Sequence, residues 1–274
     1  MFPSDCRICS LPLLNISRLP VCPDCLAQMH PVEGKVCSVC GERVLSAFAL
    51  ADVEGLRICP VCRRIERPFE RAVAYGSYDG GLRELIHLLK FDGVRPAAAV
   101  LGRMLAEVIA ALESGFQQKP VAVIPVPLYK GKRRHRGFNQ AELITRAALK
   151  AYPARERLQL ATNVLLRIRD TRSQIGLTSH QRRENMRGAF AVARAAEVIG
   201  REVLLVDDVY TTGTTVSECA RVLRRAGAKQ VWVATVARTL KNAGFKVSKL
   251  QGFNVEEDAA EESGDFETLK LLKL

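Results

Sequence analysis

The sequence predicts an α/β fold: a parallel sheet covered by helices, preceded by a small cysteine-rich module. Three observations predict it. Eight of the nine cysteines fall within the first 62 residues. After them come apolar runs at 120–126 (PVAVIPV), 203–206 (VLLV) and 231–236 (VWVATV). They lack the alternation of half-exposed strands and are separated by helical patterns, as expected for strands buried on both faces. The chain has 274 residues, 48% of them hydrophobic. At about 150 residues per domain this is one or two domains with a real core.

The cysteine module comes first. Cys6/Cys9, Cys22/Cys25, Cys37/Cys40 and Cys59/Cys62 are four pairs with C-x-x-C spacing. Two thiolates three positions apart can grip one tetrahedral ion, and a second pair completes four ligands. One such pair could be a redox dithiol. Four in a row, without a thioredoxin-like βαβ context, read as two structural Zn²⁺ sites. Sequence order assigns Cys6, Cys9, Cys22 and Cys25 to one ion and Cys37, Cys40, Cys59 and Cys62 to the other; interleaved pairing is also compatible with the spacing. Gly41 permits the positive-φ turn that a knuckle needs. Four protein ligands per ion leave no open position for catalysis. Replacing Cys37 by Ser is expected to lose one ion and to leave the ligand site of the α/β portion largely formed. Cys219 stands alone on a helical pattern and reads as a buried apolar residue.

Residues 67–69 mark the exit from this module, giving expected units of 1–66, 67–239 and 240–274. Residues 71–78 alternate like a strand. Leu82, Leu85, Ile86 and Leu89 share a helical face, with His87 off it, read as solvated. Pro96 opens a second helix, with Val100, Leu101, Met104, Leu105, Val108 and Ile109 at helical spacing. The tail from Leu240 has five Lys against seven Asp and Glu, net −2, leaving +14 for residues 1–239. It reads as a partly disordered extension.

The whole chain carries 41 Lys and Arg against 29 Asp and Glu. That excess suits polyanionic partners, nucleic acid or polyphosphate esters, and equally a solvated basic surface. No stretch approaches the roughly 18–20 apolar residues of a membrane span. The first residues lack the basic and apolar regions of a signal peptide. The expected location is cytoplasmic.

The sharpest chemical motif is VLLVDDVYTTGTT at 203–215. An apolar strand leads into Asp207 and Asp208, followed by Thr211, Thr212, Gly213, Thr214 and Thr215 and a helix bearing Val216, Cys219, Ala220 and Leu223. Gly213 lets the backbone turn amides inward. Those amides, the hydroxyls and the helix N-terminus form a site for a phosphate monoester. The acids, at the carboxyl end of a strand, can accept hydrogen bonds from vicinal ribose hydroxyls. The motif is neither a Walker A loop nor G-x-G-x-x-G.

This segment resembles the phosphoribosyl-pyrophosphate (PRPP) signature of type I phosphoribosyltransferases. IPVPLYKGKRRHRGFNQAELI (124–144), RIRDTRSQIGLTSHQRRENMRGAF (167–190), HLLKFDG (87–93) and the cysteine module resemble the ComF family of bacterial competence-related proteins. The resemblance spans about residues 1–239. It implies a type I phosphoribosyltransferase fold behind a double zinc ribbon, and a link to DNA uptake and natural transformation. It implies that Asp207 and Asp208 hold the ribose hydroxyls, that Thr211–Thr215 hold the 5′-phosphate, and that the turn at Pro125, Val126, Pro127 and Leu128 is the pyrophosphate loop. Mg²⁺ would accompany PRPP.

Pyrophosphate departure needs positive charge. Lys130, Lys132, Arg133, Arg134 and Arg136, expected in a basic loop, supply it, with Lys132 and Arg136 as the candidates for catalysis beside the two acids. Arg167, Arg169, Arg172, Arg182, Arg183 and Arg187 supply more, with Thr171, Ser173 and Gln174 as polar partners. Lys130, Arg133, Arg134, Arg172, Arg182 and Arg183 serve equally well as contacts to single-stranded DNA. Position 2 is Phe and the N-terminal cysteines are assigned to zinc, so glutamine hydrolysis is not expected. Three readings follow: a phosphoribosyltransferase with an unassigned acceptor, a DNA-binding protein with a PRPP-sensing site, and a zinc-anchored adaptor for a helicase or translocase of DNA uptake.

Overall fold

The computed structural model describes residues 5–15, 17–44, 51–53, 55–117, 120–171 and 178–240. The acidic tail lies outside them, as do Arg172, Ser173 and Gln174. The described residues fall in one compact unit.

Two similar cysteine units open the chain. In each, the first C-x-x-C forms a knuckle. Cys6 and Cys37 donate their amides to the carbonyls of Leu11 (2.8 Å) and Glu42 (2.9 Å), and their carbonyls accept from Ser10 and Gly41. Ser10 and Gly41 occupy equivalent left-handed positions, with φ of 60° and 69°. The second half of each unit is Cys-Pro-x-Cys, and the proline starts a short helix: α1 (Pro23–Ala27) after Cys22 and α2 (Pro60–Arg64) after Cys59. Proline fits here because the first amides of a helix have no intrahelical partner. Between the second knuckle and α2 lies an antiparallel pair, β1 (Ala51–Val53) and β2 (Leu56–Ile58).

The α/β portion runs β3 (Arg71–Ser77), α3 (Gly80–Lys90), α4 (Ala97–Glu113), β4 (Val121–Pro125), α5 (Lys130–Arg136), α6 (Gln140–Ala151) and β5 (Leu158–Leu160). Then come β6 (Leu165–Arg167), α7 (Ser179–Met186), β7 (Phe190–Val192), β8 (Glu202–Tyr210), α8 (Thr214–Arg225) and β9 (Gln230–Arg238). Five strands form a parallel sheet in the order β3-β9-β8-β4-β5, and β6 and β7 pair antiparallel beside it. The parallel sheet, the flanking helices and the elements expected at 71–78, 82–90 and 120–126 agree with the sequence reading.

Two cores cover the two faces of the sheet. On one, Val121, Val123, Leu204, Val206, Ala234 and Val236 meet α3, α4 and α6. On the other, Ala122, Ile124, Val203, Leu205, Val231 and Val233 meet α8 and the β6–β7 ribbon. The cysteine units join one core each. Cys6 and Cys25, with Leu13, Val21 and Met29, belong to the first. Cys37, Cys40 and Cys59, with Phe69 and Ala72, belong to the second.

Three expectations need correction. The strand expected at 203–206 runs on to Tyr210, because β9 supplies ladder partners as far as the Tyr210–Arg238 pair. Asp207 and Asp208 therefore sit inside the strand. The basic segment at 130–136 is helical, closed at Gly137 with φ +79°. His87 is half-buried: its Nε2 lies 2.9 Å from the Tyr78 hydroxyl and its ring stands edge-on to Phe91, because α3 turns that flank inward.

The chain leaves β4 toward β5 on one side, and leaves β8 toward β9 on the other. The strand order reverses between β4 and β8, and in open α/β sheets ligands bind in the crevice beyond such a point.

Candidate phosphate site and metal clusters

The crevice is bordered by the turn after β4 and by the strand end and loop after β8. Pro125 pairs with Val206 across the two strands. The Val126 amide donates to the Val206 carbonyl at 2.8 Å. The Val126 carbonyl accepts from Asn139 Nδ2 at 3.0 Å. Both polar backbone groups of Val126 are thus committed, and Pro125 has no N–H. Among the described residues, the first turn amides left for a ligand are those of Leu128, the last residue of the expected turn, and of Tyr129 beyond it.

Asp207 and Asp208 diverge. Asp208 is buried, and its carboxylate forms an ion pair with Lys90, the last residue of α3. Burial alone would raise the Asp208 carboxyl, but the Lys90 ammonium outweighs it and holds the group below its usual range. Lys90 is in turn held above its usual value by Asp208 against the opposing effect of burial. Asp207 is pushed well up, first by burial and then by the negative charge of Asp208. One acid is a fixed anion and its neighbour retains a proton more readily. Arg136 is the cation of α5 turned toward this pair. Burial lowers its guanidinium while the Asp208 charge opposes that. It also donates to Gln140 Oε1 at 2.5 Å and lies 5.8 Å over the Phe91 ring. Lys132 is exposed, and among the described residues its side chain makes no hydrogen bond or ion pair. Of the two cations expected at the acids, the structure brings Arg136 there and not Lys132. It adds Lys90, which the sequence reading quoted within HLLKFDG without a role.

The threonine loop has the expected build. Gly213 is left-handed, φ +75°, and caps α8. A Cβ at Gly213 would collide with the Tyr210 hydroxyl beneath it, so glycine is required by space as well as by φ. The Thr212 and Thr214 hydroxyls lie 2.8 Å apart. Thr211 is exposed, Thr212 and Thr215 half-buried and Thr214 buried. An α-helix of this length carries partial positive charge at its start, where anions are favoured. Cys219, on the inner face of α8, is fully buried, which pushes its thiol well up and makes it inert.

The basic residues divide between two cavities. One of about 380 Å³ is lined by Lys130 and Arg133 together with Pro125, Leu128, Asn163 and Arg167. One of about 940 Å³ lies between α7, the second cysteine unit and the threonine loop, with Arg182, Arg183, Thr211, Thr212 and Thr214 in its wall. Arg134 is exposed on α5. Thr171 is buried and hydrogen-bonded by Arg167.

The eight cysteines gather as Cys6, Cys9, Cys22, Cys25 and as Cys37, Cys40, Cys59, Cys62, with the sulfurs of each group within 4.8 Å of one another. Cys6–Cys25, Cys9–Cys22 and Cys40–Cys59 are 3.9, 3.8 and 3.8 Å apart. A tetrahedral site with Zn–S near 2.3 Å separates its sulfurs by about 3.8 Å, so the donor sets fit zinc. Backbone amides point at the sulfurs: Cys22 N lies 3.3 Å from Cys6 Sγ, and Cys59 N lies 3.3 Å from Cys37 Sγ. Burial would raise the Cys6 thiol, but the backbone amides of Cys9, Cys22 and Ile8 bring it down to about 6. Sequence-order grouping is the one the fold produces.

Residues 153–269 match the phosphoribosyl transferase domain family. The chain is 34% identical over 214 residues to the DNA utilization protein YhgH of Salmonella typhimurium, covering 75% of this chain and 91% of that protein. It is 31% identical over 225 residues to competence protein F of Haemophilus influenzae, covering 79% of this chain and 96% of the relative. A crystal structure of a hypoxanthine phosphoribosyltransferase from Staphylococcus aureus superposes with a TM-score of 0.34 and 13% identity, covering 50% of this chain and 62% of that one. With both halves of two long relatives matched, and with the phosphoribosyl transferase domain behind a pair of four-cysteine clusters, the chain belongs to the ComF family.

Proposed function

We propose that the chain binds Mg·PRPP across the β4–β8 crevice and acts as a phosphoribosyltransferase-like protein of DNA uptake. The observation that carries this is the placement of Asp208, ion-paired with Lys90, one strand end away from the glycine-turned loop that starts α8. Asp207 and Asp208 would hold the ribose hydroxyls. Thr211, Thr212, Gly213, Thr214 and Thr215 would hold the 5′-phosphate. Leu128 and Tyr129 would offer amides to the pyrophosphate. Arg136 stands where charge builds up as pyrophosphate leaves C1 of the ribose, and Mg²⁺ when bound shares in neutralising that charge. Lys90 keeps Asp208 an acceptor throughout. The names of the relatives, a competence protein and a DNA utilization protein, support the role in DNA uptake.

Calorimetry tests the site. Wild type should release heat with Mg·PRPP, and Asp207→Ala/Asp208→Ala should not; a silent wild type defeats the reading. Pyrophosphate release in the presence of ammonia, nucleobases or single-stranded DNA then identifies the acceptor, and its absence with every acceptor favours a PRPP sensor.

A second activity is supported by the exposed cations of α5. Lys130, Lys132, Arg133 and Arg134 project into solvent beside the crevice, where phosphates of single-stranded DNA can reach them. With one Trp in the chain, stacking contributes little and binding is mainly electrostatic. The clusters serve as structural Zn²⁺ sites of a 1–66 module ahead of the 67–239 domain. A cytoplasmic location fits this reading; no described helix is long and apolar enough to cross a membrane. Contact with a helicase or translocase is the adaptor alternative, which a pull-down with intact zinc clusters would separate from DNA binding.

A further inference from the structure

We propose that Arg238 and Tyr210 are positioning residues through which the ion held by Cys37, Cys40, Cys59 and Cys62 sets the shape of the phosphate loop. The proposal rests on the reading above that this cluster holds zinc and that the loop binds phosphate.

Arg238 ends β9 and is 2% exposed. Its guanidinium donates to the backbone carbonyl of Cys40, one of the cluster's ligands, and to Glu42 Oε2 at 2.6 Å. The same guanidinium lies 4.9 Å over the ring of Tyr210. Tyr210 ends β8 and is the register partner of Arg238. Its ring is buried, and its hydroxyl lies directly beneath Gly213. A continuous buried path therefore runs from the Cys40 carbonyl, through the guanidinium and the phenol ring, to the residue that caps α8 and turns the loop.

The path forms part of the wall of the cavity of about 940 Å³, and at its knuckle end it is tightly packed. A Cβ on Gly41 would stand 2.8 Å from the Ala72 carbonyl oxygen and 3.4 Å from Arg238 Nη1. The knuckle is also tied to β3, because the Ala72 amide donates to the Val39 carbonyl at 2.8 Å. Among the described residues, no comparable path links the first cluster to the loop. Cys6 and Cys25 pack with Met29, Leu82 and Leu85 on the opposite face of the sheet.

The physical consequence concerns a buried charge. Without its ion the second knuckle has no reason to hold the Cys40 carbonyl and Glu42 in place. A buried guanidinium that loses its acceptors is strongly destabilised and moves toward solvent. The ring it covers is then released, and with it the floor under Gly213. Loss of the second ion should loosen the loop, and loss of the first should not. This departs from the expectation that replacing Cys37 leaves the site of the α/β portion largely formed. Linkage makes the effect reciprocal: a ligand that fixes the loop should help retain the second ion.

Hydrogen exchange of the full chain, read on amides 211–217, tests the path. Cys9→Ser and Cys62→Ser should each retain one zinc by elemental analysis. Exchange is expected to accelerate at least tenfold in Cys62→Ser and to stay at the wild-type rate in Cys9→Ser. Arg238→Gln, with both ions bound, should show the same acceleration, and the double variant should be no faster than Cys62→Ser alone. Equal rates in Cys9→Ser and Cys62→Ser overturn the proposal. If Cys62→Ser does not fold, Arg238→Gln still decides: an unchanged loop with two zincs overturns it. Exchange does not depend on PRPP, so a protein that fails to bind PRPP in calorimetry leaves this comparison intact. In protein that does bind it, saturating Mg·PRPP should slow release of one of the two ions to a chelator; unchanged release of both counts against the path.

Discussion

Replacing Lys90 by Met removes one partner of the Lys90–Asp208 pair and nearly preserves side-chain length. The pair is secluded, with side-chain exposures of 16% and 6%. Breaking a buried pair by deleting one partner costs about 3–5 kcal/mol, because a lone buried charge remains. The modest exposure of Lys90 places the expected loss near the lower end, about 3 kcal/mol at pH 7. For a domain of this size that is a fall of roughly 6–12 °C in melting temperature. The pH dependence follows from the shifts. In wild type, Asp208 is depressed and Lys90 raised, so the pair stabilises the fold above the unfolded carboxylate value and below the unfolded lysine value. In Lys90→Met the buried Asp208 carboxyl rises, and the penalty shrinks as acid protonates it. Thermal melts of zinc-loaded wild type and variant at pH 8 and pH 5 should therefore show a larger gap at pH 8. Adding Asp208→Asn to Lys90→Met should recover part of the loss at pH 8. A gap that is the same at both pH values, with no recovery in the double variant, would refute the electrostatic account and leave only packing.

Other outcomes follow from the same geometry. Arg133→Ala/Arg134→Ala should weaken single-stranded DNA binding and lower the log–log salt slope by about 0.7 per lost phosphate contact, measured by fluorescence anisotropy. Saturating Mg·PRPP should raise the apparent Kd for DNA in wild type if the α5 cations serve both ligands; an unchanged value moves the footprint to Arg182 and Arg183. Gly213→Ala should cost about 1–3 kcal/mol in denaturant melts and abolish the calorimetric heat of Mg·PRPP, since the new methyl group meets both an unfavourable φ and the Tyr210 hydroxyl. Ser10→Gly should stabilise the first knuckle by about 1 kcal/mol, read as slower zinc loss to a chelator, because φ is 60° there and Gly41 already fills the matching position. Elemental analysis should give two zincs per chain.

Local chemistry made much of this protein legible in the sequence. C-x-x-C spacing brings thiols together in pairs, so the eight candidate metal ligands are legible in the sequence, while which pairs share a cluster is decided by the fold. Unbroken apolar runs require a sheet covered on both faces, and the threonine loop around Gly213 is set by local backbone freedom and the helix that follows. What only the tertiary structure decided are the pairings between residues far apart in the chain. Lys90 meets Asp208 because α3 packs on the face toward which Asp208 turns. Asp207 and Asp208 look alike in sequence, yet burial and one ammonium drive them in opposite directions. Val126 is lost to a ligand because β8 and Asn139 use its backbone. Arg136 and Lys132 are four positions apart on one short helix and share a face, so neither spacing nor helix phase tells the cation that reaches Asp208 from the one in solvent. Arg238 is bonded to Cys40 across 198 residues. No periodicity or motif records such a contact, because a buried charge is satisfied by whichever acceptor the fold brings to it.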